Sequence, residues 1–439
     1  MRLHTVLLLI TFLLSIVVKA NYQDYYHGNF NKKDSLWVDS VFNTMNDLEK
    51  IGQLFTVRIN SNANKSEIEE ITRLIKTYNI GGLVFFKGTP YKEARLTNYF
   101  QSITKVPLLI SIDGEWGLGM RLDSTISFPK QMTLGAIEND SLIYDIGKEV
   151  AREFRRLGIH QNFAPVLDIN NNPLNPVINI RSFGESKYKV AQKGIAFMKG
   201  MEDNGLQTIA KHFPGHGNTI CDSHKELPLI NVSCTELDTM ELYPFKEIIK
   251  NNIKGIMVGH LSVPALDSTK ELASTLSYKI VTETLKNKLG FKGLIYTDAL
   301  DMGAITKFFR KGEAEVKALK AGNDILLLSE NVPQAVNAIT YAIDSCSLDP
   351  DLISQKCKKI LFTKKLVGID HICPVDMNNL EKDLNSKEAE LLNIKSYENA
   401  LTLLQNKNNI IPLKRLDTLK IAAISIGDIN PDIFQKSLY

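Results

Sequence analysis

Residues 292–330 read KGLIYTDALDMGAITKFFRKGEAEVKALKAGNDILLLSE, and they contain one complete strand–helix–strand unit. The unit opens on the apolar run KGLIYTD, passes through the helical stretch EAEVKALKAG and ends on a second apolar run, NDILLLSE. Short runs that are apolar throughout are typical of strands buried on both faces, so a helix between two of them predicts a parallel pair. The glycine that ends the helical stretch suits the position after a helix end, where a positive φ is needed.

The same unit repeats along the chain from residue 52 onward. Eight apolar runs are present: QLFTVRI (53–59), GGLVFFKG (81–88), PLLISID (107–113), HQNFAPVLDI (160–169), QTIAKHF (207–213), KGIMVGHL (254–261), KGLIYTD (292–298) and NDILLLSE (323–330). Helical stretches between them include SEIEEITRLIKTY (66–78), LIYDIGKEVAREFRRLG (142–158), YKVAQKGIAFMKGMEDNG (188–205) and KIVTETLKNKLG (279–290). Eight such units in about 300 residues predict a closed (β/α)8 TIM-like barrel. An open doubly wound sheet is the alternative, and it would need fewer strands or a reversal of strand order.

The regions on either side of the barrel differ from it. Residues 1–20, MRLHTVLLLITFLLSIVVKA, predict a secretory signal peptide, because the apolar run after the first arginine is short for a membrane span. An uncleaved membrane anchor is the alternative. The barrel is assigned to residues 21–345 and a helical linker to residues 346–390. Residues 391–439, with a strand predicted in KIAAISIG (420–427), are interpreted as the beginning of an incomplete second α/β domain.

The composition is that of an ordinary globular protein, with 439 residues, 44% hydrophobic residues, 23% charged residues and a net charge of +3. The small charge and the dispersed basic residues argue against nucleic acid as a partner. No segment after residue 20 is apolar enough to cross a membrane. The predicted signal peptide indicates an exported protein, periplasmic or extracellular. The five cysteines match no zinc spacing.

Ionisable side chains stand where the predicted strands end. They are Asp113, Asp168, Lys211, His212, His260 and Asp298. In a barrel the carboxyl ends of all strands meet around one mouth, where barrel enzymes carry out their chemistry. The sequence therefore predicts one site built from residues that are far apart in the chain.

The loop KHFPGHGNTICDSH (211–224) concentrates three histidines, an aspartate and two glycines. Asp222 and His224 are two residues apart, and in a non-helical loop this spacing brings a carboxylate to an imidazole ring. Such a carboxylate fixes the tautomer and favours the charged ring, which leaves the other nitrogen to exchange a proton. Gly215 and Gly217 predict a loop that is either mobile or sharply folded.

This Asp–His dyad needs a reaction partner. A serine nucleophile is disfavoured because no G-x-S-x-G elbow occurs. Zinc is disfavoured because Pro214 prevents a helix through His212 and His216, so no metal and no cofactor is expected. A carboxylate across the mouth remains, and Asp298 is the best placed; an acid facing a carboxylate is the arrangement of retaining glycoside hydrolysis. Asp301 falls beyond the strand end and is interpreted as structural.

The dyad loop resembles the signature loop of family 3 glycoside hydrolases in their β-N-acetylglucosaminidase branch, and YTDALDM (296–302) resembles the nucleophile strand of that family. The resemblance implies that Asp298 is the nucleophile, that His224 is the acid/base and that Asp222 is its partner. It covers roughly residues 35–345.

The resemblance also implies a set of sugar-binding residues. They are Asp113 and Arg121 in DGEWGLGMR, Arg181 in NIRSFG, and the pair Lys211 and His212. Carboxylates accept hydrogen bonds from sugar hydroxyls and cations donate to hydroxyl or acetamido oxygens, and both contacts strengthen as oxocarbenium character develops. The excess of cations would also keep the Asp298 nucleophile ionised. Asp168 and His260 match no sugar-binding position and are interpreted as structural.

The first motif departs from the family pattern, since Trp116 and Leu118 stand where many members have a glycine and an arginine. Trp116 either stacks on a neighbouring sugar or fills space under its loop. The leaving-group side of the specificity therefore stays open.

The leading hypothesis is an exported, retaining exo-β-N-acetylglucosaminidase acting on cell-wall fragments, as in peptidoglycan turnover, or on chitin-like oligosaccharides. An N-acetylglucosaminide phosphorylase and a β-glucosidase-like family member are the alternatives within the fold. A non-catalytic carbohydrate-binding protein is the third alternative. It is disfavoured because the inferred nucleophile, the acid/base and the orienting carboxylate are all present.

Overall fold

The computed structural model of the protein describes residues 32–424 and Ser437, so the predicted signal peptide at residues 1–20 lies outside the described residues. Eight strands form one sheet: β1 (Phe55–Asn60), β2 (Gly82–Phe86), β3 (Leu109–Ile112), β4 (Gln161–Asn162), β5 (Gln207–Phe213), β6 (Gly255–Val258), β7 (Leu294–Thr297) and β8 (Leu326–Leu327). Their order is β7-β6-β5-β4-β3-β2-β1-β8, and every neighbouring pair is parallel. A parallel bridge between Tyr296 and Ile325 brings the two edge strands together. The predicted (β/α)8 barrel is confirmed.

The predicted run 160–169 forms a much shorter strand than the sequence indicates. Pairing with β5 covers Gln161 and Asn162 and resumes at an isolated bridge between Val166 and Lys211. Pro165 lies between these points, and a proline lacks the N–H that a ladder needs. The polar side chains that follow β4 therefore lie on an irregular segment.

Helices connect the strands. Those within the barrel are Lys65–Tyr78, Pro90–Ile103, Gln131–Gly135, Asp140–Arg156, Lys187–Glu202, Cys234–Thr239, Tyr243–Lys250, Gly303–Thr306 and Glu313–Ala321, with a π-helix at Lys279–Lys288 and 3-10 turns at Leu118–Met120, Asn179–Arg181 and Ser274–Leu276. Helices Lys32–Asn43 and Asp47–Gly52 precede β1. Helices Val332–Asp344, Pro350–Leu366, Leu380–Leu384 and Lys387–Ala400 and a 3-10 turn at Lys407–Asn409 follow β8.

Local sequence sets these helix ends and their packing. Asn64 and Glu67 form a reciprocal capping box at the start of Lys65–Tyr78, which satisfies two N–H groups that the helix leaves unpaired. The two longest helices within the barrel pack closely at Gly200, where an added Cβ would lie 2.1 Å from the carbonyl oxygen of Tyr144. A side chain at this position would separate the two helices.

The helix Pro350–Leu366 packs at the amino-terminal end of the strands, opposite the predicted mouth. Its buried Lys359 donates to the carbonyl oxygen of Gly293 and to the Asp324 carboxylate, both at 2.7 Å, and its buried Lys364 donates to Gln53 at 2.6 Å. This helix belongs to the segment predicted as a linker, and the compact unit that contains the barrel extends to Ala400. The division of the chain into domains stays a prediction.

The described residues from Leu401 onward form a separate unit. Between residues 401 and 424 the structure contains no strand, and residues 425–427 of the predicted strand lie outside the described residues. The second domain therefore stays a prediction. Within residues 32–424, no helix combines the length and the apolar character that a membrane span requires.

Candidate active site

A cavity of about 340 Å³ opens at the carboxyl ends of the barrel strands. Its wall includes seven of the eight predicted site residues: Asp113, Arg121, Arg181, Lys211, His212, His224 and Asp298. The eighth, Asp222, lies behind His224 and contacts its ring. The structure therefore brings together the residues that the sequence assigned to one site, while the role of each residue stays a prediction.

Asp113 follows β3 and is held between two cations. Lys211 contacts one carboxylate oxygen at 2.5 Å, and Arg121 contacts the other at 2.5 Å. The Arg121 Nε also donates to the Asp113 carbonyl oxygen at 3.0 Å. Burial alone would raise the pKa of Asp113, but Lys211 and Arg121 outweigh it and hold that pKa well below its usual range. Asp113 is thus an ionised acceptor on the cavity wall.

Glu115 is a member of this cluster that sequence reasoning missed. It is fully buried, and its carboxylate contacts Lys211 at 2.8 Å and takes a two-point contact from Arg181 at 2.6 and 3.0 Å. Burial opposes ionisation, but Arg181 and Lys211 lower the pKa of Glu115 below its usual value. Its position two residues after Asp113 is a signal that could have pointed to it, since alternate residues of an extended segment share a face.

The five side chains form a chain of alternating charge. In order they are Arg121, Asp113, Lys211, Glu115 and Arg181. Four of them line the cavity and Glu115 does not. Two carboxylates against three cations leave an excess positive charge beside the cavity.

Asp298 follows β7, and its backbone N–H donates to the Val258 carbonyl at 2.9 Å. The carboxylate accepts a hydrogen bond from the N–H of Ala299 at 2.8 Å. Burial would raise the pKa of Asp298, but His260 and His212 lower it below the usual value. An ionised carboxylate therefore faces the cavity at neutral pH.

The Asp222–His224 contact predicted from the spacing is present. The Nδ1 of His224 lies 2.7 Å from a carboxylate oxygen of Asp222, and the same oxygen accepts the backbone N–H of His224 at 2.9 Å. Burial raises the pKa of Asp222, but the hydrogen bonds from the His224 backbone and ring outweigh it and lower that pKa. The Nδ1 atom is engaged with the carboxylate, so Nε2 is the nitrogen available for proton exchange at the cavity.

The dyad loop is sharply folded at its root. A Cβ at Gly217 would lie 1.7 Å from the carbonyl oxygen of Ile169, so only glycine fits there. The buried side chain of Asn175 donates to the carbonyl oxygens of His216 and Gly217, both at 2.8 Å. Farther along, the N–H of Gly303 donates to the His224 carbonyl at 3.1 Å. These contacts fix both ends of the segment that carries the dyad.

The three histidines of the loop have separate hydrogen-bond partners. His212 contacts Asp168, while His216 contacts Thr219 at 2.8 Å and Ser223 at 3.2 Å. Burial and the neighbouring His212 lower the pKa of His216 to about 4, so its ring is neutral. Within residues 32–424, no three His, Cys, Asp or Glu side chains are grouped as they would be around a metal ion.

Asp168 and His260, both interpreted from the sequence as structural, are fully buried behind the cavity wall. His260 contacts the Thr275 hydroxyl at 2.7 Å and the Ala299 carbonyl at 2.9 Å, so it supports the backbone beside Asp298. Asp168 lies 2.7 Å from the Nδ1 of His212, which lines the cavity. Asp168 therefore contacts the ring of a predicted sugar-binding residue as well as stabilising its own loop.

Asp301, also interpreted as structural, lines the cavity and pairs with Arg58 at 3.0 Å. The guanidinium groups of Arg58 and Arg121 lie over the Phe86 ring, at 5.1 and 4.7 Å from its centroid. This wall of the cavity is aromatic as well as charged.

Trp116 is not part of the described cavity wall. The ammonium group of Lys130 lies over the Trp116 ring, 5.3 Å from the ring centroid. Both sequence interpretations of Trp116 therefore stay predictions.

A polar cavity at the carboxyl ends of a parallel barrel is the arrangement of barrel enzymes. Residues 48–362 match the profile of the glycosyl hydrolase family 3 N-terminal domain. The chain therefore belongs to glycosyl hydrolase family 3, as the sequence motifs predicted.

Two curated relatives illustrate the similarity. The chain is 39% identical to β-hexosaminidase A from Pseudoalteromonas piscicida over 59% of its own length. That match spans 47% of the relative, so the chain covers about half the length of that protein. It is 31% identical to a β-hexosaminidase from Haemophilus influenzae, over 76% of this chain and 93% of that protein.

A solved structure is similar over most of the chain. A family 3 β-N-acetylglucosaminidase from Paenibacillus sp. str. FPU-7 superposes with a TM-score of 0.77 at 35% identity. The match covers 83% of this chain and 70% of that one. The two proteins therefore share their fold over most of this chain.

Proposed function

We propose that the protein is a retaining exo-β-N-acetylglucosaminidase that works through a glycosyl-aspartate intermediate. The observation that carries the proposal is the presence of Asp298 and the Asp222–His224 dyad at one cavity whose other polar residues suit a sugar. The names of the β-hexosaminidases and of the β-N-acetylglucosaminidase to which the chain is similar support the same substrate class.

In the first step a carboxylate oxygen of Asp298 attacks the anomeric carbon of the terminal sugar. The bond to the leaving-group oxygen breaks while the Nε2–H of His224 protonates that oxygen. The products are a glycosyl ester on Asp298, the free leaving-group alcohol and a neutral imidazole. Asp222 stabilises the charged ring before transfer and keeps Nδ1 engaged throughout.

In the second step the neutral Nε2 of His224 removes a proton from water. The water oxygen attacks the anomeric carbon, the ester bond to Asp298 breaks, and the sugar leaves with its original anomeric configuration. The backbone N–H of Ala299, 2.8 Å from the Asp298 carboxylate, stabilises the departing anion.

The charged cluster accounts for recognition of an uncharged ring. Asp113 accepts hydrogen bonds from hydroxyls, and Arg121, Arg181 and Lys211 donate to hydroxyl or acetamido oxygens. The cavity volume of about 340 Å³ is at the small end of ligand sites, which suits one sugar residue and therefore removal from the chain end.

The proposal extends to location and substrate source. The apolar leader at residues 1–20 supports export, and terminal N-acetylglucosamine outside the cytoplasm occurs in cell-wall fragments and chitin-like oligosaccharides. Release of N-acetylglucosamine from purified muropeptides and from chito-oligosaccharides, compared on the full chain, tests this extension.

Covalent trapping tests the nucleophile. A 5-fluoro-N-acetylglucosaminyl fluoride forms the intermediate without acid assistance and slows its hydrolysis. We expect mass spectrometry of digested protein to place the sugar on the peptide that contains Asp298. An adduct on another residue, or active turnover by Asp298→Ala, contradicts the proposal.

Phosphate distinguishes hydrolysis from phosphorolysis. In a hydrolase, added inorganic phosphate leaves the rate unchanged and free N-acetylglucosamine is the product. Formation of N-acetylglucosamine 1-phosphate would show that phosphate replaces water as the acceptor in the second step. The protein would then be a phosphorylase.

A further inference from the structure

We propose that Asp168 is a positioning residue that sets the tautomer of His212, so that the Nε2 of His212 accepts a hydrogen bond from a hydroxyl of the bound sugar. The inference rests on the proposed function, because it names a contact to the sugar in that site. It gives His212 a role opposite to that of Lys211 and the arginines, which are donors.

Two backbone N–H groups and one ring nitrogen converge on the Asp168 carboxylate. One oxygen accepts the backbone N–H of His212 at 3.2 Å and that of His216 at 2.7 Å. The other oxygen lies 2.7 Å from the Nδ1 of His212. The carboxylate is fully buried, so solvent does not compete for these contacts.

An ionised carboxylate has no hydrogen to donate, so Asp168 accepts a hydrogen bond in each of these contacts. It therefore requires a proton on the Nδ1 of His212. In the neutral ring Nε2 then carries a lone pair, and His212 lines the cavity. Asp168 contributes no atom to the described cavity wall, so its effect on the sugar passes through His212.

The arrangement gives the sugar a mixed polar surface. Each hydroxyl both donates one hydrogen bond and accepts others. Lys211, the preceding residue, donates hydrogen bonds from an ammonium group that also contacts Asp113 and Glu115. His212 supplies an acceptor next to it, so two neighbouring hydroxyls find complementary partners.

Asp168→Asn is a selective test, because the amide has nearly the same shape. With its oxygen on the two backbone N–H groups, the amide keeps both of those contacts and points its NH₂ at the Nδ1 of His212. The reverse orientation would place the NH₂ against two donors. The ring is therefore expected to move its proton to Nε2 and to present a donor to the cavity.

The direct readout is nitrogen NMR of the full chain labelled with ¹⁵N-histidine, with His212→Gln used to assign the signal. We expect the neutral form of the native ring to be protonated at Nδ1 and unprotonated at Nε2, and the reverse in Asp168→Asn. A native ring protonated at Nε2, or at both nitrogens, overturns the proposal even if the variant does not fold.

The binding readout uses N-acetylglucosamine and its monodeoxy analogues as competitive inhibitors. In the native protein one analogue, lacking the hydroxyl that donates to Nε2, should bind about 5- to 100-fold more weakly, the loss expected for one buried hydrogen bond. In Asp168→Asn the parent sugar should weaken by a similar factor and the penalty for that analogue should disappear. An undiminished penalty in the variant refutes the proposed contact.

Asp267→Asn is the matched control. Asp267 is a carboxylate that accepts hydrogen bonds from Ser277 at 2.6 Å and Thr269 at 2.8 Å and is not part of the cavity wall. Its replacement should leave the His212 signal and the inhibitor series unchanged. If no N-acetylated sugar binds at all, the proposed function fails while the NMR result still decides the tautomer.

Discussion

Replacing His224 by alanine removes the proposed general acid without disturbing the barrel. The side chain is 67% exposed, and the contact that ties this residue to Gly303 uses its backbone carbonyl, which alanine keeps. The free energy of unfolding should therefore change by less than about 0.5 kcal/mol, as for other surface substitutions. Any loss of activity then reports chemistry and not folding.

The size of the loss should depend on the leaving group. General acid catalysis contributes about 10²–10⁴-fold, or roughly 3–5 kcal/mol of barrier, to departure of an alcohol that needs a proton. For a chito-oligosaccharide, kcat/KM should fall by that factor. For a dinitrophenyl glycoside, whose phenolate leaves unprotonated, kcat/KM should fall by less than about tenfold.

The same variant should show a slow second step, because His224 also activates water. With the dinitrophenyl substrate kcat should fall while the intermediate accumulates as a burst of phenolate. Azide, which needs no base, should restore turnover and give a β-glycosyl azide. His371→Ala is the control: this histidine also lies beside an aspartate, Asp370, at 3.4 Å, and its side chain is 87% exposed. Equal losses on both substrates, or no response to azide, would refute the acid/base assignment.

Three further outcomes follow from individual carboxylates. Asp298→Ala should lower kcat by about 10⁴-fold or more with an unchanged circular dichroism spectrum, and a loss below tenfold on an aryl glycoside would exclude it as nucleophile. Glu115→Gln should lower the free energy of unfolding in urea by about 3–5 kcal/mol, because Arg181 and Lys211 lose their shared buried anion, and a change below 1 kcal/mol would contradict that reasoning. Burial raises the pKa of Glu93 to about 8 in the folded chain, so stability tied to its proton is complete below the unfolded pKa and is lost as pH rises toward 8. Glu93→Gln should therefore lose less stability than the native protein between pH 5 and pH 9 in urea titrations, and parallel profiles would contradict the shift.

Much of the fold could be predicted from local sequence. Eight apolar runs separated by helical stretches indicated the barrel, since burial on both faces leaves a continuous apolar signature in each strand. The helices predicted at 142–158 and 188–205 correspond to Asp140–Arg156 and Lys187–Glu202. The extent of the strand after His160 was less predictable, because its end depends on which N–H groups meet a partner across the sheet.

Some features of the site could also be predicted from local sequence, and others could not. Asp222 and His224 could be paired from their spacing, because two residues in a loop are close whatever the rest of the chain does. Asp298 could be placed at the mouth because strand ends converge in any barrel. The two-residue spacing from Asp113 could have pointed to Glu115, but its contacts could not be predicted, since its partners Lys211 and Arg181 are 96 and 66 positions away in the sequence.

The sequence by itself therefore determined the order of strands and helices, the family, and the presence of an Asp–His pair near a strand-end carboxylate. Tertiary structure alone decided that Asp168 contacts His212, that Glu115 joins two cations behind the cavity, and that the helix Pro350–Leu366 packs its lysines against the base of the barrel. The physical reason is the distance along the chain over which each interaction acts. Periodicity and turn chemistry act over a few residues, whereas a buried ion pair depends on distances between segments that meet only when the barrel closes.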